Sequence, residues 1–413
     1  MTLQDIAVIW ALPVEGNLII GVDRRYNTQQ WQNYCHQQLG FIPNEDAFRW
    51  SRIKLTVLYE YLLKNTCDDD SPFEAVLQEA RICAMCILGG VLCPDATGNT
   101  VSLLYLRRMK NIDEHYVSNW GFAVLAYLYR ELCTASQRGK NNIGGVMQLL
   151  QIWAWSRIIT LAPIPSSEAS SVVPTIIDPD NILPSPPYAA RWSYHISRTH
   201  TAHNALRIIR DVLDRMQLNK FIWTPYNNIA VELEALPYYA IRTMWNIRCP
   251  LINYSLVEKH HPERVLRQFG YVQDIPPNPL ISERRLHTVD RRGRQDMDWA
   301  TFHAEYIAKW NDVQSMVVEG PIIEGGRDTV PDYMNCSRYP NVRVRPADTA
   351  HGNAFTETGP SSGHAEAGPS TVFPEAGPSS FYPETGPSTA YTPYAPYLSL
   401  FDGTFTHNFN PQF

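Results

Sequence analysis

Hydrophobic side chains recur at helical spacing through residues 1–162, and this pattern predicts a mainly α-helical fold. In the segment 28–39, for example, Trp31, Cys35 and Leu39 fall on one face of a helix. A short strand is expected at 17–21, after the turn that Pro13 and Gly16 indicate. The predicted helices of this half are 2–10, 28–39, 44–63, 71–88, 115–133 and 143–161.

The clearest helix start is expected just after residue 70. Ser71 and Glu74 have the spacing of a capping box, and Pro72 suits the first helical position. The pair Gly89 and Gly90 is expected to break this helix.

The later half has fewer helical segments and one distinctive stretch, 245–270. It begins as an apolar segment, passes through His260 and His261, and ends in an amphipathic helix predicted at 262–269 with Gly270 as its left-handed cap. Further helices are predicted at 202–216 and 297–313, and an extended piece at 221–226.

Two regions lack a pattern that could form a core. Residues 163–190 are rich in Pro and Ser and predict a surface loop. After residue 320 the hydrophobic pattern ends, and Gly-Pro-Ser recurs every nine residues, at Ser361, Ser370, Ser379 and Ser388. We therefore predict a domain at 1–320, with a helical half at 1–162, the loop at 163–190 and a second half at 191–320, followed by a disordered acidic tail at 321–413.

Charge is distributed unevenly between these parts. The formal net charge is −6, but no Lys or Arg follows Arg345, and six acids do. Without those six acids, residues 1–345 contain 35 bases and 35 acids. A neutral body argues against strong non-specific binding of nucleic acid over the whole surface, although a local basic patch remains compatible with it.

The cysteines and histidines do not form a clear metal motif. Cys83, Cys86, Cys93 and Cys133 lie in apolar runs, which favours buried thiols in a reducing compartment over a zinc site. A cluster of His195, His200, His203, His260 and His261 would require contacts that spacing cannot establish. We expect no metal site and no cofactor. The longest apolar run, 82–92, is shorter than a membrane span, so a soluble intracellular protein is expected.

Two kinds of enzyme are conceivable. None of the seven lysines follows a Gly-rich phosphate loop, which argues against an aminotransferase. The alternative is a transposon-derived, metal-dependent nucleic-acid enzyme, which would need three converging carboxylates. Its candidates are Asp5, Asp95, Asp290 and Glu305.

The best candidate contact for nucleic acid or phosphate is a basic segment near residue 290. It contains Arg284, Arg285, Arg291, Arg292 and Arg294, whose guanidinium groups suit phosphate oxygens. The competing interpretation is a salt-bridged loop in which Asp290, Asp296 and Asp298 are the partners. Both interpretations stay open at the level of sequence.

Several separated motifs in the right order resemble the plant mobile domain of the MAINTENANCE OF MERISTEMS-like family, also labelled aminotransferase-like. They are Leu-Gln-Asp-Ile-Ala at 3–7, Leu-Pro-Val-Glu-Gly at 12–16, Leu-Gly-Gly-Val-Leu at 88–92, the Trp-rich run 149–155, and His-His-Pro-Glu-Arg-Val-Leu-Arg-Gln-Phe-Gly at 260–270. The family usually has more sequence before the first of these motifs. We expect this shorter start to leave the first packing layer incomplete.

The resemblance implies a nuclear, non-enzymatic interaction module in meristem maintenance, gene regulation and transposon silencing. Its partners would be nuclear proteins, among them a serine/threonine phosphoprotein phosphatase, with which some relatives are associated or fused. It supplies no catalytic residues. His260, His261, Arg264 and Arg267 belong to its last motif without a known role, and we expect replacement of the histidines to impair folding rather than turnover.

Overall fold

The computed structural model describes residues 1–110, 118–137, 139–140, 142–162, 177–178, 181–182, 188–192, 202–227, 242–277, 286, 289, 296–326 and 328–333. One compact unit covers Met1–Arg338, and Tyr339–Phe413 form a second unit outside these ranges. Most of the predicted Pro-rich loop and residues 334–413 of the predicted tail also lie outside them.

Helices predominate in the described residues, with short strands between them, so the mainly α prediction holds in outline. The helices are α1 (Leu3–Trp10), α2 (Thr28–Leu39), α3 (Leu55–Leu62), α4 (Phe73–Ile87), α5 (Leu103–Arg108), α6 (Trp120–Ala135), α7 (Met147–Arg157), α8 (Ala202–Asp214), α9 (Trp299–Phe302) and α10 (Ala304–Asn311).

The strands form small antiparallel sheets. They are β1 (Val22–Asp23), β2 (Phe48–Arg49), β3 (Arg52–Lys54), β4 (Thr100–Ser102), β5 (Ile177–Asp178), β6 (Asn181–Ile182), β7 (Pro250–Asn253), β8 (Leu256–Lys259) and β9 (Met297–Asp298). Strands β2, β3 and β4 form one sheet, while β1 pairs with β9, β5 with β6, and β7 with β8. The predicted strand 17–21 contains only single bridges, from Asn17 to Ser118 and from Ile19 to Asn253.

The core forms around α1, in which every apolar side chain except that of Trp10 is buried. Leu3, Ile6 and Ile9 have no exposed surface, and the helix packs against α6 and α7. Helix α6 also packs on the β7–β8 hairpin. The distinctive stretch of the later half is therefore packed against the N-terminal helices.

The predicted helix 44–63 is only half correct. Residues 48–54 form a hairpin in which Phe48 pairs with Ile53, and Trp50 in the turn has a left-handed φ of 58°. Strand β3 also pairs with β4, so Ile53 lies opposite Val101. This long-range pairing competes successfully with the local helical pattern, and a helix begins only at Leu55.

The predicted capping box of α4 is also wrong. The Ser71 hydroxyl donates to Asp68 at 2.6 Å and accepts from the Asp68 amide. Glu74 instead accepts from Arg81 at 3.1 Å.

Gly89 does not end the helical path either, because α4 continues as a π-helical turn over Leu88–Leu92. A Cβ atom at Gly89 would lie 2.5 Å from Cβ of Val101 and 2.8 Å from Cδ2 of Leu55. Close approach to β4 and α3 therefore explains this glycine.

Two later helices are interrupted. The predicted helix 262–269 consists of two 3₁₀ turns, Pro262–Arg264 and Leu266–Phe269, separated by Val265 at a φ of −139°. The amide of Leu266 donates to the side chain of Gln273 instead of continuing an α-helical ladder. The predicted helix 297–313 is divided at His303, whose ring stacks on Trp299 in the core.

By length and composition alone, Phe73–Leu92 passes as a membrane span, and it is the single such helix in the described residues. Of its most apolar stretch, 39% is buried inside the protein. Arg81 belongs to this helix, and its guanidinium donates to the carbonyls of Gln38, Met109 and Lys110. Core helices of folded proteins satisfy the same test, and this helix carries a buried cation that is bonded to three backbone carbonyls.

The compact unit continues beyond the boundary predicted at 320. The carbonyl of Pro321 accepts from Val272 at 2.7 Å, and the amide of Ile323 donates to Gly270 at 3.0 Å. Further along, Gln273 and Thr329 form a parallel bridge. Residues 321–326 and 328–333 therefore extend the fold by backbone pairing, which their composition does not reveal.

Candidate functional site

A buried polar network links α1 to three distant segments through the Asp5 carboxylate. One oxygen, Oδ1, accepts from Nη2 of Arg157 at 2.7 Å, the Tyr226 hydroxyl at 2.7 Å and Nε2 of Gln268 at 3.2 Å. The other, Oδ2, accepts from the Thr2 amide at 2.7 Å. Asp5 has no exposed surface. Its position in the first turn of α1 suits a carboxylate, since the helix N-terminus carries partial positive charge.

Asp5 and Arg157 are both ionised in this network. Burial alone would raise the pKa of Asp5, but the Arg157 guanidinium and the hydrogen bonds outweigh it, and the net pKa is lowered. For Arg157, burial lowers the pKa, while attraction to Asp5 more than compensates and the net pKa is raised. Burial next to Asp5 raises the pKa of Tyr226 well above its usual range. The three side chains thus form a neutral assembly of an ion pair and a phenol that stays protonated.

The ends of the network are held by other elements. The carbonyl of Arg157, at the end of α7, accepts from the Ile222 amide at 2.9 Å, which brings the Tyr226 segment alongside. Nε2 of Gln268 also donates to the Thr2 hydroxyl at 2.7 Å and to Gln4 at 2.9 Å. Sequence analysis placed Asp5 in a motif but missed Arg157, Tyr226 and Gln268 as its partners. The one available signal was an arginine two residues after the Trp-rich run 149–155.

His260 is buried beside this network and both of its ring nitrogens are engaged. Nε2 lies 3.2 Å from the Leu3 amide and Nδ1 lies 2.7 Å from the Ile247 carbonyl. An acceptor at Nε2 and a donor at Nδ1 define the neutral imidazole. Burial lowers the pKa of His260 to about 4, in agreement with that form. The residue therefore joins the first turn of α1 to the chain before β7.

The other singled-out residues of the last motif, His261, Arg264 and Arg267, are nearer the surface. Nδ1 of His261 lies 2.8 Å from Glu263, which also faces Arg248 at 3.5 Å. Burial alone would raise the pKa of Glu263, but the hydrogen bond from His261 outweighs it, and the net pKa is lowered. Arg264 donates to the Pro277 carbonyl at 3.3 Å.

Arg267 is clamped between aromatic rings. Its guanidinium carbon lies 3.7 Å above the Trp223 ring centre and 5.7 Å from that of Tyr333, and Nη1 pairs with Asp328 at 3.1 Å. Trp223 belongs to the segment predicted as an extended piece, which is irregular here.

A cavity of about 370 Å³ lies next to the Gln268 end of the network. Gln268 and Gln4 form the wall shared with the buried polar groups. The remaining lining residues are Thr224, Asn227, Arg242, Thr243, Trp245, Asn246, Phe269, Gly270, Tyr271, Val317 and Glu319. Amide, hydroxyl and aromatic groups predominate, with one cation and one acid. Such a lining can bind a polar group by hydrogen bonds, and this cavity is a candidate small-ligand site bordered by the last family motif.

The predicted basic contact, Arg284, Arg285, Arg291, Arg292 and Arg294, lies outside the described residues. Two residues within it are described, and both are fixed by Arg130 of α6. Its Nη1 donates to the Val289 carbonyl at 2.9 Å and its Nη2 to the Leu286 carbonyl at 2.9 Å, while Nε pairs with Glu258 at 2.6 Å. Leu286 packs in a core cluster with Leu18, Ile252 and Val257. A partly buried arginine thus anchors two backbone carbonyls within the predicted basic segment.

The described carboxylates of the alternative enzyme are separately paired. Asp5 pairs with Arg157, Asp95 with Arg52 at 3.0 Å, and Glu305 with Lys309 at 2.5 Å. Asp290 lies outside the described residues. Within those residues, no three His, Cys, Asp or Glu side chains are grouped so that they could hold a metal ion.

The histidines and cysteines were expected to be structural. His195 and His200, like the side chain of His203, lie outside the described part of the chain. Burial raises the pKa of Cys86 and of Cys93 to about 12, as expected for inert buried thiols. Cys133 was expected to be buried but is exposed, because α6 turns that position to the surface near its end.

Comparison with known proteins places these features in a family context. A family profile described as Plant mobile domain matches residues 1–335. The chain is 32% identical to "Serine/threonine-protein phosphatase 7 long form homolog" of Arabidopsis thaliana, over 87% of this chain and 26% of that protein. It is 26% identical to "Protein MAIN-LIKE 2" over 78% of this chain and 45% of the relative. It is 25% identical to "Protein MAINTENANCE OF MERISTEMS", over 81% of this chain and 63% of that relative. Both are from Arabidopsis thaliana. The chain thus spans only part of the length of these relatives. It matches no solved structure.

Proposed function

The chain belongs to the plant mobile domain family, and on that premise we propose that it is a non-enzymatic nuclear interaction module. It acts in meristem maintenance, gene regulation and transposon silencing through protein partners. The names of two relatives, "Protein MAINTENANCE OF MERISTEMS" and "Protein MAIN-LIKE 2", support the role in meristems.

The observation that carries the proposal is that polar side chains of the family motifs bond to one another and to the backbone inside the core. Asp5 and Gln268, from the first and last motifs, bond to each other inside the core, where Asp5 also pairs with Arg157. His260 likewise ties two backbone segments together. These side chains hold the fold together, which suits a scaffold that presents its surface to partners. Separate ion pairs on Asp5, Asp95 and Glu305 favour this module over the metal-dependent enzyme.

A serine/threonine phosphoprotein phosphatase is the partner that we propose first. One relative carries the name of a phosphatase. Its region of similarity covers 87% of this chain but only 26% of the relative's own length. A domain present both there and in the MAIN-like proteins is compatible with a transferable interaction unit.

The test is co-purification of the tagged full-length chain from plant nuclei, with and without nuclease. Enrichment of a phosphatase or a chromatin protein that resists nuclease is expected, because the proposed contacts are between proteins. The untagged extract is the control. A chain that stays outside nuclei, or that enriches no nuclear protein above the control, would contradict the proposal.

Nucleic acid remains a second proposed ligand, through the basic segment after Val289. The variant with Arg291, Arg292 and Arg294 all changed to Ala should bind DNA or RNA more weakly and with a flatter salt dependence, because fewer counterions are released. The matched control changes Arg24, Arg25 and Arg49 to Ala. Equal binding by both variants would assign the basic segment to structure.

A further inference from the structure

A second cavity, of about 390 Å³, lies at the open end of the β7–β8 hairpin and differs in charge from the first. Three cations line it, Arg248, Lys259 and Lys309, and its described lining includes no acid. The rest of the lining consists of Cys249, Pro250, His260, Tyr306, Met316, Val317 and Val318. This combination of three cations with an apolar and aromatic wall is not used by the proposed function.

The cavity is built from elements that are fixed to one another. Pro250 pairs with Lys259 in the hairpin, so both ends of the two strands border the opening. The Arg248 amide donates to the Met316 carbonyl at 2.8 Å, and Ile247 forms a bridge with Val317. Helix α10, which carries Tyr306 and Lys309, packs on β7. A ligand would therefore meet a largely preformed site, which reduces the entropy cost of binding.

The polar groups at the base of the cavity are already satisfied. Both nitrogens of His260 are bonded to backbone groups, and the side chain is neutral. His260 thus neither adds charge nor competes for a ligand. The charge at this site comes from the two lysines and the arginine nearer the surface.

Among the described residues, two acids stand close to these cations, and each already has a partner. Glu305 pairs with Lys309 at 2.5 Å and its side chain is 72% exposed. The hydrogen bond from Lys309, and more weakly the charge of Lys259, lower the pKa of Glu305. Glu263 faces Arg248 at 3.5 Å but is held mainly by His261 at 2.8 Å. Exposed ion pairs of the Lys309 kind are weak, so an incoming anion can displace Glu305.

We propose that this cavity binds an organic phosphate monoester, with the phosphate between Lys259, Lys309 and Arg248 and the organic group against Tyr306 and Val317. A dianion matches several cations better than a carboxylate does, and an arginine fork suits phosphate oxygens. The volume lies within the range of small-molecule sites and exceeds what a bare phosphate would fill. The proposal does not depend on the proposed function.

The test is calorimetric titration of the full-length chain with phenyl phosphate, inorganic phosphate and benzoate. Phenyl phosphate should bind most tightly, because it alone combines the dianion with a ring for the apolar wall. Lys259→Gln and Lys309→Gln should each weaken its binding about tenfold, the effect of losing one charge-assisted hydrogen bond. Lys64→Gln, an exposed lysine elsewhere, is the matched control.

A variant with the opposite expected effect separates binding from folding. Glu305→Gln removes the carboxylate that competes for Lys309 and should tighten phenyl phosphate binding. Unfolding temperatures of all variants establish that each is folded. The proposal is overturned if phenyl phosphate gives no heat at millimolar concentration, if benzoate binds equally well, or if the two lysine variants bind like Lys64→Gln.

Discussion

At the scale of single residues, the ion pair between Asp5 and Arg157 should be the most sensitive point of the fold. Changing Asp5 to Asn leaves the Arg157 guanidinium buried without a counter-charge, which costs about 3–5 kcal/mol in comparable sites. Urea unfolding at neutral pH measures this loss. Asp46→Asn is the control, since Asp46 is mostly exposed and its pair with Lys54 is long, at 3.5 Å. A loss as small as that of the control would show that the network is not stabilising.

His260 should make the stability depend on pH. Its pKa is about 4 in the folded protein, because of burial, and near 6.5 when unfolded, so protons bind preferentially to the unfolded chain. The contribution of neutral His260 to the free energy of unfolding is therefore complete above about pH 6.5. It is lost as the pH falls towards 4. Unfolding free energies measured over this range should decline less steeply for His260→Gln than for the natural chain. His36→Gln, at an exposed position, should leave the slope unchanged.

At the scale of elements, the sequence predicts what local contacts determine. Helix α2 begins and ends where expected, because its buried Trp31, Cys35 and Leu39 all lie on one stripe. The hairpin at 48–54 could not be predicted in this way, since its second strand is stabilised by pairing with residues 100–102. The same limit applies to the candidate site, where the partners of Asp5 are 152, 221 and 263 positions away.

The junction of α4 with β4 offers a test of packing between elements. Changing Gly89 to Ala would place a Cβ atom against Val101 and Leu55, so we expect a net loss of about 1–3 kcal/mol despite the better helix propensity of Ala. Gly320→Ala is the control, because its nearest neighbour would lie at 3.4 Å and its stability should be unchanged or slightly higher. Chemical denaturation of both variants decides the matter. If Gly89→Ala were as stable as the control, a flexible break would be the better explanation of this glycine.

At the scale of the whole molecule, the fold is completed by residues 321–333, which the sequence assigned to the tail. They pair with the backbone at 270–273, and Arg267 contacts them through Asp328 and the ring of Tyr333. The same guanidinium lies over the ring of Trp223. Arg267 of the last family motif therefore connects the segment that contains Trp223 with the closing segment that contains Asp328 and Tyr333.

Arg267→Ala should release this closing segment without unfolding the rest. A partly buried cation–π contact contributes about 2 kcal/mol, and the loss of the Asp328 pair adds to it. Limited proteolysis with a non-specific protease, followed by mass spectrometry, should show faster cleavage within 321–333. Arg264→Ala is the matched control from the same motif, since Arg264 donates to the Pro277 carbonyl, which lies outside the closing segment. Equal cleavage of the two variants would mean that backbone pairing alone holds the segment, whereas faster cleavage of Arg267→Ala assigns that arginine of the motif to closing the fold.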